Sequence, residues 1–186
     1  MANASALVCE HLAALRAAGE LAPVLDLACG SGRNGLYLHR QGLPVVFADI
    51  RADALADIDA ALEKTSASNA RLWQVDLESG AADPLDGERF GAVLVFRYLH
   101  RPLMPAIARA VMPQGLVIYE TFTVDQPRFG RPTNPDYLLQ HNELPGHFDG
   151  WDILHTFEGE VQNPATGHHQ AIAQLVARKP DQESSP

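Results

Sequence analysis

Residues 24–35, with the sequence "VLDLACGSGRNG", constrain the fold of this chain more than any other segment. An apolar run is followed by Gly30, Gly32 and Gly35, in the spacing G-x-G-x-x-G. Glycines placed directly after a strand let the backbone turn sharply and let a ligand lie against main-chain atoms. The segment therefore predicts a strand, a glycine loop and a helix, with a ligand bound at the loop.

Apolar runs and helical patterns alternate along the rest of the chain, which predicts a three-layer α/β sandwich with a mainly parallel sheet. Ligands then bind at the carboxyl ends of the strands. One domain is expected over residues 1–179, with a flexible tail at 180–186. The first helix is expected to begin at Ser5 and stop at Gly19. Strands are predicted at 23–28, 44–50, 71–77, 90–99, 115–122, 151–160 and 170–179, with helices near 32–41, 52–64, 102–111 and 135–144.

The charge and the apolar pattern bound the possible partners. Acidic residues outnumber basic ones by 23 to 14, for a formal charge of −9, which argues against a surface that tracks nucleic-acid phosphates. No apolar run approaches the roughly 18 residues that span a bilayer, and no signal peptide is recognisable. The two cysteines suggest neither a disulfide framework nor a metal site. A cytoplasmic protein without nucleic-acid or membrane partners is predicted; the oligomeric state stays open.

The ligand of the glycine loop has two interpretations. A dinucleotide is favoured by Asp49, which ends the second strand 19 residues after Gly30, near the spacing of a ribose-binding acid. Asp26 within the first strand opposes it, because a carboxylate is a poor neighbour for a pyrophosphate. Asp76 adds a further acceptor at the same sheet edge. An NAD(P)- or flavin-dependent oxidoreductase therefore remains an alternative.

The segment "VLDLACGSGRNGLYLHRQGLPVVFADI" resembles motif I and the second strand of class I S-adenosylmethionine-dependent methyltransferases. Within that superfamily, "GRNGLYL" is similar to the small tellurite-resistance-type enzymes. The resemblance implies a Rossmann-like sheet of seven strands in the order 3-2-1-4-5-7-6, with the seventh strand antiparallel. It also implies S-adenosylmethionine as cofactor and S-adenosylhomocysteine as product.

The resemblance assigns cofactor contacts to residues near the ends of the first four strands. Asp26 would organise the loop near the methionine amino group, Asp49 would bind the ribose hydroxyls, and Asp76 would accept from the adenine amino group. The predicted cofactor-binding set is Asp26, Ala28, Gly30, Gly32, Asp49, Asp76, Leu77, Phe96 and Arg97.

The methyl acceptor is expected beyond strands four and five, where "RYLHRP" and "YET" lie. Methyl transfer from a sulfonium is an in-line displacement that mainly needs alignment, and a base only for a protonated, weakly acidic nucleophile. Tyr98, His100 and Glu120 are the candidate catalytic residues, and no metal is predicted. The Asn/Asp-Pro-Pro-Tyr pattern of enzymes that methylate amino groups of bases or glutamine is absent from this position. The predicted substrate is a small molecule, anionic or a thiol or chalcogen species.

The loop at 123–134 carries Arg128 and Arg131, which could clamp an anionic substrate, and it is long enough to act as a lid. A second alternative is a regulatory or partner protein that binds S-adenosylmethionine without turning it over.

Overall fold

The computed structural model describes residues 4–63, 69–80, 83–163 and 166–181, and a seven-stranded sheet forms its centre. The flexible tail predicted at 180–186 lies mostly outside the described residues. The strands are β1 (Val24–Leu27), β2 (Val45–Asp49), β3 (Ala70–Gln74), β4 (Phe90–Phe96), β5 (Val111–Phe122), β6 (Asp152–Gln162) and β7 (His169–Arg178). The α-helices are α1 (Ala6–Glu10), α2 (Leu12–Leu21), α3 (Arg33–Arg40), α4 (Ala52–Leu62), α5 (Met104–Ala110) and α6 (Glu143–Gly146).

The strand order is β3-β2-β1-β4-β5-β7-β6, as the resemblance implies. β1 pairs in parallel with β2 and β4, β2 with β3, and β4 with β5. β7 runs antiparallel to both of its neighbours, β5 and β6. The α/β class, the sheet order and the antiparallel seventh strand are thereby confirmed. This topology collects the carboxyl ends of β1 to β5 at one edge of the sheet.

Helices cover both faces of the sheet. On one face, Leu15 of α2 and Leu38 of α3 pack with Leu94 and Ile118 of the central strands. On the other face, residues of α5 and α6 pack against alternate residues of the same strands, Val93 and Val95 of β4 among them. A strand covered on both faces needs apolar side chains at nearly every position, which explains the unbroken apolar run of β4.

Two of the predicted helices differ from the structure. The single first helix is divided into α1 and α2 around His11, and α2 continues past Gly19 to Leu21. The helix predicted near 135–144 is wrong: a short 3₁₀ turn at Pro135–Tyr137 and the four residues of α6 flank an extended segment. Leu139 in that segment donates its N–H to the carbonyl of Phe122 and accepts from the N–H of Val124. This pairing with the end of β5 is a tertiary contact that overrides the local helical pattern.

No helix within the described parts of the chain combines the length and the apolar character needed to cross a membrane.

Gly91 allows the close approach of α2 to β4. A Cβ at this position would collide with the main-chain carbonyls of Ala18 and Ala22. Because backbone atoms cannot rotate away, we expect Gly91→Ala to lower the free energy of unfolding by about 1–3 kcal/mol. Gly146→Ala is the matched control, since a Cβ there meets no atom within 4 Å. Urea denaturation of the two variants measures the difference, and equal stabilities would contradict this account of the packing.

Candidate functional site

The glycine loop after β1 turns through three residues in the left-handed region. Ala28, Gly30 and Gly32 have φ values of 51°, 55° and 67°. Such values are uncommon for a residue with a Cβ, so Ala28 is held there by the surrounding structure. The turn brings the loop backbone to the carboxyl edge of the sheet.

All three glycines of the G-x-G-x-x-G motif use their N–H groups within the protein. Gly30 donates to Asp49 Oδ2, Gly35 donates to Asp26 Oδ2, and Gly32 donates to the carbonyl of Cys29, each at 2.8 Å. A pyrophosphate site needs such N–H groups free to face the ligand. Two carboxylates bound at the loop also repel a pyrophosphate. The loop geometry therefore opposes the dinucleotide interpretation.

Asp26 is the buried acid of the site, with 3% of its surface exposed. Burial raises the pKa of its carboxyl group to about 7, although the N–H of Gly35 and the charge of Arg33 act in the opposite direction. The carboxyl is therefore close to half protonated at neutral pH. A cation bound beside the loop would favour the ionised form.

Asp49 links the loop after β1 to the start of α4. Its second oxygen, Oδ1, accepts from the N–H of Arg51 at 2.9 Å, and its surface is 7% exposed. The Nε atom of Arg51 also lies 3.6 Å from Oδ1. Because each carboxylate oxygen has two lone pairs, Oδ2 keeps an acceptor site for a ligand hydroxyl. Ile50, between Asp49 and Arg51, is 57% exposed and offers an apolar surface in the same place.

These residues line a cleft of about 540 Å³, which we call the acidic cleft. Asp76 lies on its opposite wall, beyond the end of β3, and its Oδ1 accepts from the N–H of Glu78 at 2.9 Å. The side chain of Asp76 is exposed, whereas neighbouring Leu77 is buried. The full lining is Ala28, Asp49, Ile50, Arg51, Val75, Asp76, Leu77, Glu78 and Tyr98.

A second cleft of equal volume, about 540 Å³, adjoins the first, and we call it the aromatic cleft. It lies past the ends of β4 and β5 and is closed on its outer side by the loop at 123–134 and the 3₁₀ turn that follows. Its lining is Glu78, Arg97, Tyr98, Leu99, Thr121, Phe122, Arg131, Pro132 and Tyr137. Glu78 and Tyr98 line both clefts, so these two residues stand where the clefts meet.

The hydroxyl of Tyr98 is buried, and it has no hydrogen-bond partner of standard geometry among the described residues. Burial, followed by the neighbouring carboxylate of Glu78, raises the pKa of Tyr98. The phenol therefore stays protonated at neutral pH and can donate a hydrogen bond. The hydroxyl lies near the Glu78 carboxylate at the junction of the two clefts, and it can donate a hydrogen bond to that carboxylate or to a ligand acceptor.

Glu120, at the end of β5, holds Arg97. Its Oε1 lies 3.1 Å from Nη2 of Arg97, and its Oε2 accepts from Gln174 at 2.6 Å. The same Nη2 donates to Gln170 at 2.8 Å, and the guanidinium lies 4.4 Å from the centre of the Phe122 ring. Both oxygens of Glu120 are thus engaged, and the carboxylate neutralises Arg97. The catalytic role of Glu120 stays a prediction, and its described contacts are those of a residue that positions Arg97.

Neither His100 nor Phe96 lines the acidic or the aromatic cleft. His100 lines a smaller pocket of about 350 Å³ beside Tyr137, with its Nδ1 4.0 Å from Glu78. Phe96 is partly buried and packs against the core on the α1–α4 face. The predicted roles of both residues remain untested, and their positions favour them less than Tyr98.

Arg101 anchors the segment that closes the aromatic cleft. Its guanidinium binds both carboxylate oxygens of Glu143, at 2.6 and 2.8 Å, and the carbonyls of Asp136 and Leu138. Burial by itself would raise the pKa of Glu143. Hydrogen bonds from Arg101, from the N–H of Gln140 and from His147 outweigh this effect and lower the pKa to about 2. Arg101 is therefore a structural residue.

The loop at 123–134 is likewise attached to the sheet. Gln126 is 3% exposed, accepts from the N–H of Ala171 on β7 and donates to the carbonyl of Arg131. Arg128 pairs with Glu160 of β6 at 2.8 Å. The side chain of Arg131 takes part in no hydrogen bond or ion pair across the ranges that the structure describes.

Sequence reasoning missed Glu78 and Tyr137, which line the clefts. Glu78 lies two residues after Asp76, in the turn that follows β3. The sequence of this turn carries no motif that would indicate a position between the two clefts. Tyr137 was assigned to a helix that does not form. In the part of the chain described, no three Cys, His, Asp or Glu residues are grouped to hold a metal ion, and the expected absence of a metal stays a prediction.

The fold and the acid-held glycine loop are those of the class I methyltransferases, and residues 24–115 match the family model described as "Methyltransferase domain". This match runs from β1 into the beginning of β5, so it includes the glycine loop and the residues that line the acidic cleft. The chain is similar to the tellurite-resistance-type member TehB of Haemophilus influenzae, described as a probable S-adenosyl-L-methionine-dependent methyltransferase. The two are 28% identical, over 84% of this chain and 57% of the relative.

Solved structures support the same fold. The crystal structure of TehB from Haemophilus influenzae superposes with a TM-score of 0.71 at 21% sequence identity. The match covers 91% of this chain and 62% of the TehB chain. The N-methyltransferase NodS from Bradyrhizobium japonicum, in complex with S-adenosyl-L-homocysteine, has a TM-score of 0.64 at 12% identity, covering 92% and 86%. The description of TehB names the predicted cofactor, S-adenosylmethionine, and the NodS structure holds the predicted product, S-adenosylhomocysteine. The chain spans somewhat more than half the length of its TehB relatives.

The raised pKa of Asp26 predicts a pH-dependent stability. Between about pH 4 and pH 7 the folded protein keeps a proton on Asp26 that the unfolded chain has lost, so the free energy of unfolding falls as pH rises. This group contributes up to about 1.4 kcal/mol per pH unit in that window. Asp26→Asn should flatten the dependence in urea titrations between about pH 5 and 8. The exposed-site control Asp57→Asn should follow the wild type, and parallel curves for Asp26→Asn would contradict the prediction.

Proposed function

We propose that the chain transfers a methyl group from S-adenosylmethionine to a small organic molecule. The observation that carries the proposal is the meeting of the acidic and aromatic clefts at Tyr98 and Glu78. A cofactor in one cleft and an acceptor in the other would meet at this junction. Each cleft has the volume of a small-molecule site rather than that of a macromolecular groove.

The residues of the acidic cleft fit the parts of S-adenosylmethionine. Asp49 offers a free acceptor site to the ribose hydroxyls, Asp76 offers a carboxylate to the adenine amino group, and Ile50 offers an apolar surface to the adenine ring. Asp26, through the loop that it holds, favours a cationic amino group nearby. When bound, the cofactor supplies a methyl group already activated by the positive sulfur.

The chain's own residues then need to orient the acceptor and keep water from the junction. Tyr98 keeps its proton and donates a hydrogen bond, which can fix the acceptor atom. Glu78 can take the proton of a thiol or hydroxyl acceptor, because its side chain is 50% exposed and can return the proton to solvent. No deeper base is required for an acceptor that ionises readily.

Two alternatives lead to different measurements. An NAD(P)- or flavin-dependent oxidoreductase is opposed by the engaged glycine N–H groups and by Asp26. A regulatory protein that binds the cofactor without turnover shares the acidic cleft and differs only in the use of the aromatic cleft. The cytoplasmic location remains a prediction from the sequence.

Calorimetry with S-adenosylmethionine, S-adenosylhomocysteine, NAD and FAD tests the cofactor. We expect micromolar binding of the first two and no binding of the dinucleotides, because the loop offers carboxylates in place of free N–H groups. NAD binding alone would overturn the proposal. A screen of small thiols, phenols and carboxylates with detection of S-adenosylhomocysteine tests turnover; binding without product from any acceptor would favour the regulatory alternative.

Asp49→Asn should weaken S-adenosylhomocysteine binding by about 1.5–3 kcal/mol, because it removes a charge-assisted hydrogen bond to the ribose. Asp49→Ala should weaken binding further, since it also frees the N–H of Gly30 that Asp49 holds. Asp57→Asn removes an exposed carboxylate of α4 and should leave the affinity unchanged. Unaltered affinity in Asp49→Asn would exclude Asp49 from the cofactor site.

A further inference from the structure

The lining of the aromatic cleft combines apolar walls with charged side chains, and this combination indicates the chemical class of the methyl acceptor. Its walls are mainly apolar: Leu99, Phe122, Pro132 and the ring of Tyr137 line it. A cleft of about 540 Å³ is far larger than a few-atom ion needs, since a water molecule takes about 30 Å³ of liquid volume. The walls therefore suit a molecule with an apolar body.

Three charged side chains line the cleft, at different places. Arg97 is neutralised by Glu120, with which it forms a 3.1 Å ion pair. Glu78 stands at the junction with the acidic cleft. Arg131 lies on the loop wall, and no acid in the described part of the chain pairs with it. Within the described ranges, the positive charge of Arg131 is thus left without a counterion, on the wall formed by the loop.

The segment that carries Arg131 is held in place from both sides. Gln126 binds the carbonyl of Arg131 itself and the backbone of β7, and Arg101 holds the carbonyls of Asp136 and Leu138 beyond it. A charge on an anchored backbone loses less entropy on binding a ligand than one on a free loop. The loop therefore fixes the backbone from which the exposed side chain of Arg131 extends, and this side chain is available to an anion.

We infer that the aromatic cleft binds an organic acid, with one carboxylate paired to Arg131 and an apolar body packed against Phe122 and Tyr137. Arginine matches a carboxylate with two parallel hydrogen bonds, and the aromatic walls bury the body. The inference rests on the proposed function, because it takes this cleft to be the acceptor site. An inorganic oxyanion would satisfy Arg131 but leave the apolar walls without a partner.

Calorimetry on the protein saturated with S-adenosylhomocysteine tests this, with 3-phenylpropanoate, 4-hydroxyphenylacetate and hexanoate as probes and their amides as uncharged partners. We expect each acid to bind at least about tenfold more tightly than its amide. Arg131→Gln should reduce that ratio to about threefold or less and leave amide binding unchanged. Arg128→Gln is the matched control, since Arg128 pairs with Glu160 and lies outside the cleft; it should keep the wild-type ratio.

Three results would overturn the inference: no preference for the acids over the amides, a preference that persists in Arg131→Gln, or displacement of the acids by sulfate at equal concentration. The first includes the case in which no acid binds. Failure of the proposed function is a separate result. If the acids bind through Arg131 but no acceptor is methylated, the carboxylate site stands and the methyl transfer does not. If S-adenosylhomocysteine does not bind, the acids are titrated into the free protein and the same ratios decide.

Discussion

Two carboxylates hold the glycine loop, and the rest of the site depends on this interaction. Asp26 binds the N–H of Gly35 from inside the sheet, and Asp49 binds the N–H of Gly30 from the neighbouring strand. Together these two hydrogen bonds connect β1, β2 and the first turn of α3, and we call this junction at residues 26–35 and Asp49 the glycine corner. The corner exposes the remaining acceptor capacity of Asp49 to the acidic cleft, and it leaves the three motif glycines without N–H groups to offer a phosphate.

The cleft on the other side of Tyr98 is built by different means. No glycine motif forms it; side-chain hydrogen bonds from Arg101 and Gln126 fasten an irregular segment across the ends of the strands. The acidic cleft thus depends on main-chain geometry, and the aromatic cleft depends on a wall held by side chains.

Apolar runs in the sequence predicted most strand positions, because buried parallel strands need such runs, and β4 shows one without interruption. The sheet order was implied by the resemblance to the class I methyltransferases and did not follow from the apolar runs. The sequence also predicted the acids at the strand ends, whose spacing from Gly30 is a local property. The helix expected at 135–144 failed because Leu139 pairs with the end of β5. The contact partner of Leu139 lies 17 positions away at Phe122, beyond the reach of a local pattern.

The sequence by itself determined the fold class and the glycine corner, because these follow from hydrophobic periodicity and from residues close together in the chain. It also carried the motif that resembles the class I methyltransferases. Only the tertiary structure decided what each polar group does. It paired Glu120 with Arg97 and Gln174, and it joined Arg101 to the wall of the aromatic cleft. It also brought Glu78 between the clefts and left Arg131 without a counterion among the residues that the structure describes. The physical reason is that the role of a charged side chain depends on which groups lie beside it in space, and these groups come from distant parts of the chain.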